Sequence, residues 1–327
     1  MFTRYYQPQK DICVDETLVG TRGRTAMLQY IPSKHSKFGV KFWVLAESAT
    51  GYIVRMSCYL GKKFQPVTSG VCQETSVELD LLRESELLGR GYHVFCDNFF
   101  TSVELAKALL RMGTFLTGTI RSNRRIPSTI KEANVLPGNT IFMRQGRILL
   151  AAHKGMERKR PVRLLSTAIP SDLSRGVPAM VSAYNKNMGG VDGADMQFSF
   201  YSNMRKSLKV WKKMAFHILQ RMLLNSYVLY KSNTSEKAMS RLQFIQEVIE
   251  GLALRHLNEL DCPTIPVQPR QTPEKTKLVK LAGHLQKDCS VCSDRALGIR
   301  RRSRMVCQKC RKGVHISCKR QHKCSEE

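Results

Sequence analysis

Asp15, Asp97, Asp192 and Asp195 are the side chains whose settings point to chemistry. Residues 92–96 (YHVFC) mix aromatic and β-branched types and read as a buried strand, closed by Asp97. Asn98, two Phe and then Thr101-Ser102 follow, the last pair suited to open a helix. A carboxylate at the C-terminal end of a central strand points into the crevice where an α/β sheet places its chemistry. Taken alone, Asp97 reads equally well as an acid held by a helix N-terminus. Upstream, Ile12-Cys13-Val14-Asp15-Glu16 repeats the pattern, an apolar run ending in acid. Downstream, Asp192 and Asp195 stand three apart, which on a helix places both on one face. Acids at two strand ends and on a later helix are what a two-metal phosphoryl-transfer site requires, with Mg2+ or Mn2+ ions about 4 Å apart.

A second donor set lies in the tail: Cys289-x2-Cys292-x14-Cys307-x2-Cys310-x4-His315-x2-Cys318-x3-His322-x-Cys324. Two CxxC pairs and two further His/Cys pairs make eight ligands, enough for two tetrahedral Zn2+ sites interleaved as a cross-brace. Some 40 residues cannot build an adequate apolar core, so zinc would supply much of the folding energy. Disulfides are the competing use. They fit an intracellular chain poorly, and the N-terminus lacks the apolar core of a signal peptide.

Several stretches must position these groups. Residues 12–20, 38–48 and 51–60 read as strands, 76–88 as a helix, 102–112 as another and 115–120 as a strand. Residues 121–163 carry eleven basic side chains against two acids, among them Arg124, Arg125, Arg144 and Arg147. Strands are expected around 139–153 and 162–167. Such a segment either tracks phosphates or forms a solvated loop. Residues 205–231 hold seven basic residues and no acid, with Lys206, Lys209, Lys212 and Lys213 clustered at the start. The stripe Trp211, Met214, Ala215, Ile218, Leu219, Met222 and Leu223 gives that helix an apolar face, read as core. A second amphipathic helix is expected over 235–258, and four prolines mark a linker near 263–273. Arg300, Arg301, Arg302 and Arg304 form a basic cluster between the tail's CxxC pairs. With 53 Lys+Arg against 26 Asp+Glu, the 327-residue chain has a formal charge of +27. Its partner is therefore a polyanion, nucleic acid rather than membrane, and the compartment is nuclear.

Read together, VDETLVGTRGR, YIPSK, FGVKFWVLAES, GYIVRMSCYLGK, GYHVFCDNFFTS and MGGVDGAD-x-QF resemble the catalytic core of piggyBac-family DNA transposases, across roughly residues 8–260. The resemblance implies an α/β, RNase H-like catalytic core with a β-rich insertion, a following helical segment and a small cysteine-rich zinc domain. It divides the chain into core at 1–120, insertion at 121–167, core again at 168–204, a helical segment at 205–262, a linker at 263–283 and the zinc domain at 284–327. It carries the catalytic acids onto Asp15, Asp97 and Asp192, with the additional acid of the Gly-Gly-Val-Asp region at Asp195. The implied reaction frees a 3′-OH, resolves a hairpin and integrates at TTAA, and the implied partners are transposon-end DNA and, at full length, a second copy.

Family transposases carry a long N-terminal region that includes half of a dimerisation and DNA-binding domain, whose other half falls here on about residues 200–262. This chain begins about fourteen residues before Asp15. It is therefore expected to be N-terminally truncated, and to bind DNA without transposing it. The competing reading is a domesticated, non-catalytic DNA- or chromatin-binding protein built on the same basic core and zinc tail.

Overall fold

The computed structural model describes residues 4–32, 34, 36–61, 73–174, 176–201, 206–235, 237–259, 277–322 and 324. Most of the expected proline linker lies outside them. The chain divides into two units, Met1–Val248 and Ile249–Glu327.

In the first unit the pivotal strand is β1 (Asp11–Gly20), joined by β2 (Leu28–Tyr30), β3 (Phe38–Glu47) and β4 (Ile53–Cys58). Helix α1 (Gln73–Glu84), β5 (His93–Cys96), α2 (Val103–Arg111) and β6 (Phe115–Thr119) follow. β1 pairs antiparallel with β3 and parallel with β5, and β5 pairs parallel with β6. The order β4-β3-β1-β5-β6 with these directions is the RNase H-like arrangement. Ser102 opens α2 as its sequence suggests, its side chain accepting from the Leu105 N–H.

The basic segment contains a short helix, α3 (Ser128–Lys131), and three strands, β7 (Thr140–Gln145), β8 (Ile148–His153) and β9 (Val162–Ser166). They are not a separate sheet. β9 pairs with β6 and carries β8 and β7 with it, making one sheet of nine strands. The hairpin β10 (Leu173–Ser174)/β11 (Val177–Pro178) leads into α4 (Ala179–Asn187), α5 (Gly190–Phe200), α6 (Val210–Asn233) and α7 (Arg241–Glu259).

Strand periodicity explains the layering. Ile12, Val14, Val94, Cys96 and Leu116 face one side with Leu81, Leu82, Leu105 and Leu109 of α1 and α2. Their alternates Cys13, Phe95 and Val44 face the other, against Val191 and Ala194 of α5 and Leu224 of α6. Helices thus cover both faces of a mixed sheet.

One expectation fails on α6. Its apolar stripe is largely open, with Trp211 at 65%, Leu219 at 56% and Ile218 at 41% exposure. The buried face is instead His217, Gln220, Arg221, Leu224, Asn225 and Val228. The reason is that α6 docks on a face that mixes Leu224 and Val228 with hydrogen-bonding side chains. Asn225 accepts from the Ile53 N–H at 2.9 Å and donates to the Ile53 carbonyl at 2.8 Å, taking the place of a β-strand partner. α7 behaves similarly, leaving Leu242, Ile249 and Leu252 exposed although the sequence pattern marks them for packing.

The second unit holds β12 (Leu278–Lys280) paired with β15 (Met305–Cys307), and β13 (Lys287–Asp288) paired with β14 (Arg302–Ser303). Among the described residues of this unit the buried apolar side chains are Cys289, Val306, Cys307 and Val314.

Candidate functional site

Parallel pairing aligns Cys13 with Phe95 and Val14 with Cys96, which sets Asp15 beside Asp97. Asp97 directly follows the end of β5, whereas Asp15 lies in the middle of β1 and not at a strand end as expected, because β1 runs on to Gly20 in its pairing with β3. Neighbouring strands lie about 4.8 Å apart, and Asp15 shares a strand face with Cys13, on the side covered by α5. Asp97 ends its strand in a turn, its Oδ1 accepting from the Phe99 N–H at 2.9 Å. Asp15 Oδ1 accepts from the Glu16 N–H at 2.8 Å.

Asp192 arrives on α5, which runs along β1. A Cβ on Gly190 would lie 2.7 Å from both Cys13 Sγ and the Glu47 carbonyl oxygen, so only glycine permits this approach. Farther along α5, Asp195 meets Thr17 of β1. Asp192 sits between these two anchors, one helical turn from Asp195, and Asp15 sits between Cys13 and Thr17. Asp192 is exposed. A methyl group at Gly190 must push α5 off the sheet, so Gly190→Ala is expected to cost about 1–3 kcal/mol. Thermal denaturation checks the stability. Manganese titration checks the second consequence, a weaker site because Asp192 moves with the helix.

The electrostatics mark this as a place for cations. Burial pushes the Asp15 carboxyl up to about 7, and the charges of Glu16 and Asp97 add to the rise. Burial also raises Glu16, again with contributions from Asp97 and Asp192. Lys34, 3.8 Å from Glu16, is the ion-pair partner found there. Crowded, partly desolvated carboxylates of this kind fit divalent ions, which relieve the repulsion. They surround a site rather than closing on one point. Among the described residues, groups of three or more ligand atoms within 4.8 Å of one another occur only in the tail.

Asp195 is engaged differently. It accepts from Thr17 Oγ1 and pairs with Arg221, which is 1% exposed. Neither Thr17 nor Arg221 stood out in the sequence. A buried arginine on a basic helix carries no local mark, and its partner lies 26 residues away.

The basic residues sort by contact. Arg124 donates to the Phe99 carbonyl at 2.6 Å and faces Glu74, bracing the turn after Asp97. Arg125, Arg144, Arg147, Lys206, Lys209 and Lys212 are exposed. Lys213 donates to the Gly20 carbonyl at 3.0 Å and, with Lys206, lines a cavity of about 780 Å³ that also takes in Arg22 and Lys37.

In the tail, Cys289, Cys292, His315 and Cys318 form one group, and Cys307, Cys310, His322 and Cys324 the other. The first CxxC pair joins the third ligand pair and the second joins the fourth, which is cross-brace interleaving. His315 Nδ1 lies 3.3 Å from Cys292 Sγ while its Nε2 faces the Arg302 carbonyl at 3.0 Å. His322 presents Nε2 to Cys310 and Nδ1 to Ser290 Oγ. Each imidazole therefore has one nitrogen for metal and a partner for the other, the usual outer-shell support. Burial raises the Cys289 thiol, but N–H groups of His315, Val291 and Cys292 outweigh it and hold it at about 6. Cys307 reaches about 6 in the same way, through the N–H groups of Cys310 and Lys309. In the same groups desolvation, together with the neighbouring sulfurs, pushes Cys292 and Cys324 up to about 11, and a metal ion would relieve that crowding. Each donor set of three Cys and one His fits zinc. Close by, Arg300 and Arg302 both face Asp288, while Arg301 and Arg304 are exposed.

A family model described as Transposase IS4 matches residues 1–227. The chain is 27% identical over 337 residues to the human PiggyBac transposable element-derived protein 3, covering 93% of this chain and 54% of that protein. It is 23% identical over 247 residues to the human PiggyBac transposable element-derived protein 2, covering 68% of this chain and 40% of that one. The chain thus spans about half the length, or less, of these curated relatives. A cryo-EM structure of piggyBac transposase in a synaptic complex with hairpin DNA matches with a TM-score of 0.74 at 29% identity, over 94% of this chain and 68% of that one. Family match, relatives and fold agree, and the chain belongs to the piggyBac-type transposase family.

Proposed function

We propose that this chain is a metal-dependent DNA strand transferase of piggyBac type, acting in the nucleus at TTAA-flanked ends, with Asp15, Asp97 and Asp192 as its catalytic carboxylates. The observation that carries the reading is the placement of Asp15 and Asp97 on adjacent parallel strands, with Asp192 brought alongside on α5. These acids would hold two Mg2+ or Mn2+ ions, which lower the pKa of an attacking oxygen and neutralise the leaving one. The chain's own contribution is positional. Strand pairing sets Asp15 beside Asp97, the Asp97 turn is braced by Arg124, and burial around Asp15 keeps water from screening its charge. In the first step a water oxygen bonds to the scissile phosphorus, the P–O3′ bond breaks, and the 3′ oxygen leaves and takes a proton. The freed 3′-OH is the nucleophile of the next transfer.

DNA supplies the partner for the exposed Arg and Lys residues of β7, the turn after it, the start of α6 and the Arg300–Arg304 cluster. A homodimer holding paired ends is part of the same reading. Duplex binding is expected to weaken steeply with salt, with a slope of log K against log[salt] of about −5 or steeper, because each neutralised phosphate contributes about −0.9. Fluorescence anisotropy between 50 and 300 mM salt reads it (roughly the range over which counterion release is measured). A flat dependence removes these side chains from the interface.

The deciding experiment is Mn2+-dependent nicking of a duplex carrying a TTAA-flanked end, with Asp97→Asn as control. Cleavage that needs Asp97 supports the enzyme. Salt-sensitive binding without cleavage supports a DNA-binding derivative, the reading favoured by the similarity to human element-derived proteins.

A further inference from the structure

We propose, resting on the carboxylate site described above, that Asp195 is a positioning residue and not a metal ligand: half-buried itself, it forms with the buried Thr17 and Arg221 a clamp that holds α5 on β1 and so sets where Asp192 presents its carboxylate. Both Asp195 oxygens are engaged. Thr17 Oγ1 lies 3.0 Å from one and 2.8 Å from the other, and Arg221 Nη2 donates to Oδ1. Arg221 also reaches Thr17 Oγ1 at 3.4 Å, closing a triangle between β1, α5 and α6.

Charge makes the assignment. Arg221 is 1% exposed, and a guanidinium cut off from water requires an anion. Among the described residues its carboxylate partner is Asp195. Its Nε faces His217 Nε2 at 3.5 Å, and burial with the nearby Arg221 charge pushes His217 down to about 3, so that ring accepts as a neutral group and offers no compensation. An ion bound to Asp195 would place two positive charges beside a buried guanidinium and take away its counter-charge. Asp192, one turn earlier, is exposed and makes none of these contacts. With Gly190 seated against Cys13 and Asp195 against Thr17, α5 is pinned at two points along β1, and Asp192 lies between them.

The test compares Asp195→Asn, Arg221→Gln, the double variant and Asp192→Asn in the full chain. It measures Mn2+ binding by titration, Mn2+-dependent nicking, and Tm. Each clamp single variant is expected to lower Tm by roughly 10 °C, the loss from breaking a buried pair. Nicking should fall at least tenfold, about 1.4 kcal/mol in barrier. The Mn2+ stoichiometry should stay that of the parent. The double variant should recover about tenfold in nicking over the worse single, because no unpaired charge remains. Thr17→Ser should behave as the parent and Thr17→Val as a clamp variant. Asp192→Asn should lose Mn2+ while keeping its Tm. Loss of Mn2+ by Asp195→Asn to the same extent as by Asp192→Asn, with no recovery in the double variant, overturns the proposal. If the parent chain neither binds Mn2+ nor nicks DNA, the transposase reading fails. The clamp then rests on the Tm cycle, and an absence of coupling between positions 195 and 221 overturns it.

Discussion

Replacing Asp15, Asp97 or Asp192 by Asn is expected to lower the proposed metal-dependent DNA cleavage by about a thousandfold or more, with little change in duplex binding at low salt. Each carboxylate that holds the ion pair stabilises developing charge by several kcal/mol, and 1.36 kcal/mol corresponds to tenfold in rate. Binding rests on a different set, the exposed Arg and Lys side chains, so the two readouts separate. Single-turnover cleavage and anisotropy on one substrate measure both. A variant that loses binding in proportion to cleavage shows a folding defect instead.

The same site carries a pH signature. Folded Asp15 keeps its proton up to about 7, whereas an unfolded aspartate releases it near pH 4 (roughly 3.9). Between these values the folded chain binds more protons than the unfolded one, so metal-free stability falls as pH rises through that window. Protons also compete with the ion for the carboxylate. Mn2+ affinity and cleavage therefore rise as pH climbs through about 7. Added Mn2+ should erase the stability loss above neutral pH. Tm measured at several pH values, with and without Mn2+, tests both signs at once.

Stripping zinc from the two Cys/His groups is expected to unfold the tail and to leave the nine-stranded unit folded. The tail's strands are two or three residues long, and its buried apolar side chains are Cys289, Val306, Cys307 and Val314. Against backbone ordering of about 1–2 kcal/mol per residue, so small a core cannot hold some 40 residues, whereas a structural zinc contributes on the order of 10 kcal/mol. Native mass spectrometry should count two Zn2+ per chain, and Cys307→Ser should lose one and loosen the region. Acid should release the ions, because the coordinating thiolates must regain their protons before they let go. A chelator-treated chain whose tail amides stay protected from hydrogen exchange defeats this account.

Much of this was legible in the chain. The strands around Asp15 and Asp97 are legible as short apolar runs closing on an acid, and the structure then puts Ile12 and Val14 on one face and Cys13 on the other. The tail's ligands are legible because donor type and spacing are local properties. The α6 stripe misleads for the complementary reason. Apolar periodicity finds a buried face only when apolar groups dominate the docking, and on α6 Leu224 and Val228 share the buried face with Asn225, Arg221, Gln220 and His217.

The sequence by itself determined the residue types on which the proposed chemistry rests: acids closing or following apolar runs, four Cys/His ligand pairs and the basic excess. It also determined the order of strands and helices, since these depend on neighbours a few positions apart. Only the tertiary structure decided which distant residues meet. The parallel register of β1 and β5 sets Asp15 beside Asp97 across 82 residues. Cross-brace pairing joins Cys289 and Cys292 to His315 and Cys318. The burial of Arg221 commits Asp195 to an ion pair while Asp192, on the same helix, stays exposed. The physical reason is that strand register, ligand pairing and the need of a buried charge for its counter-charge are settled by which surfaces exclude water together, and no local stretch of sequence carries that information.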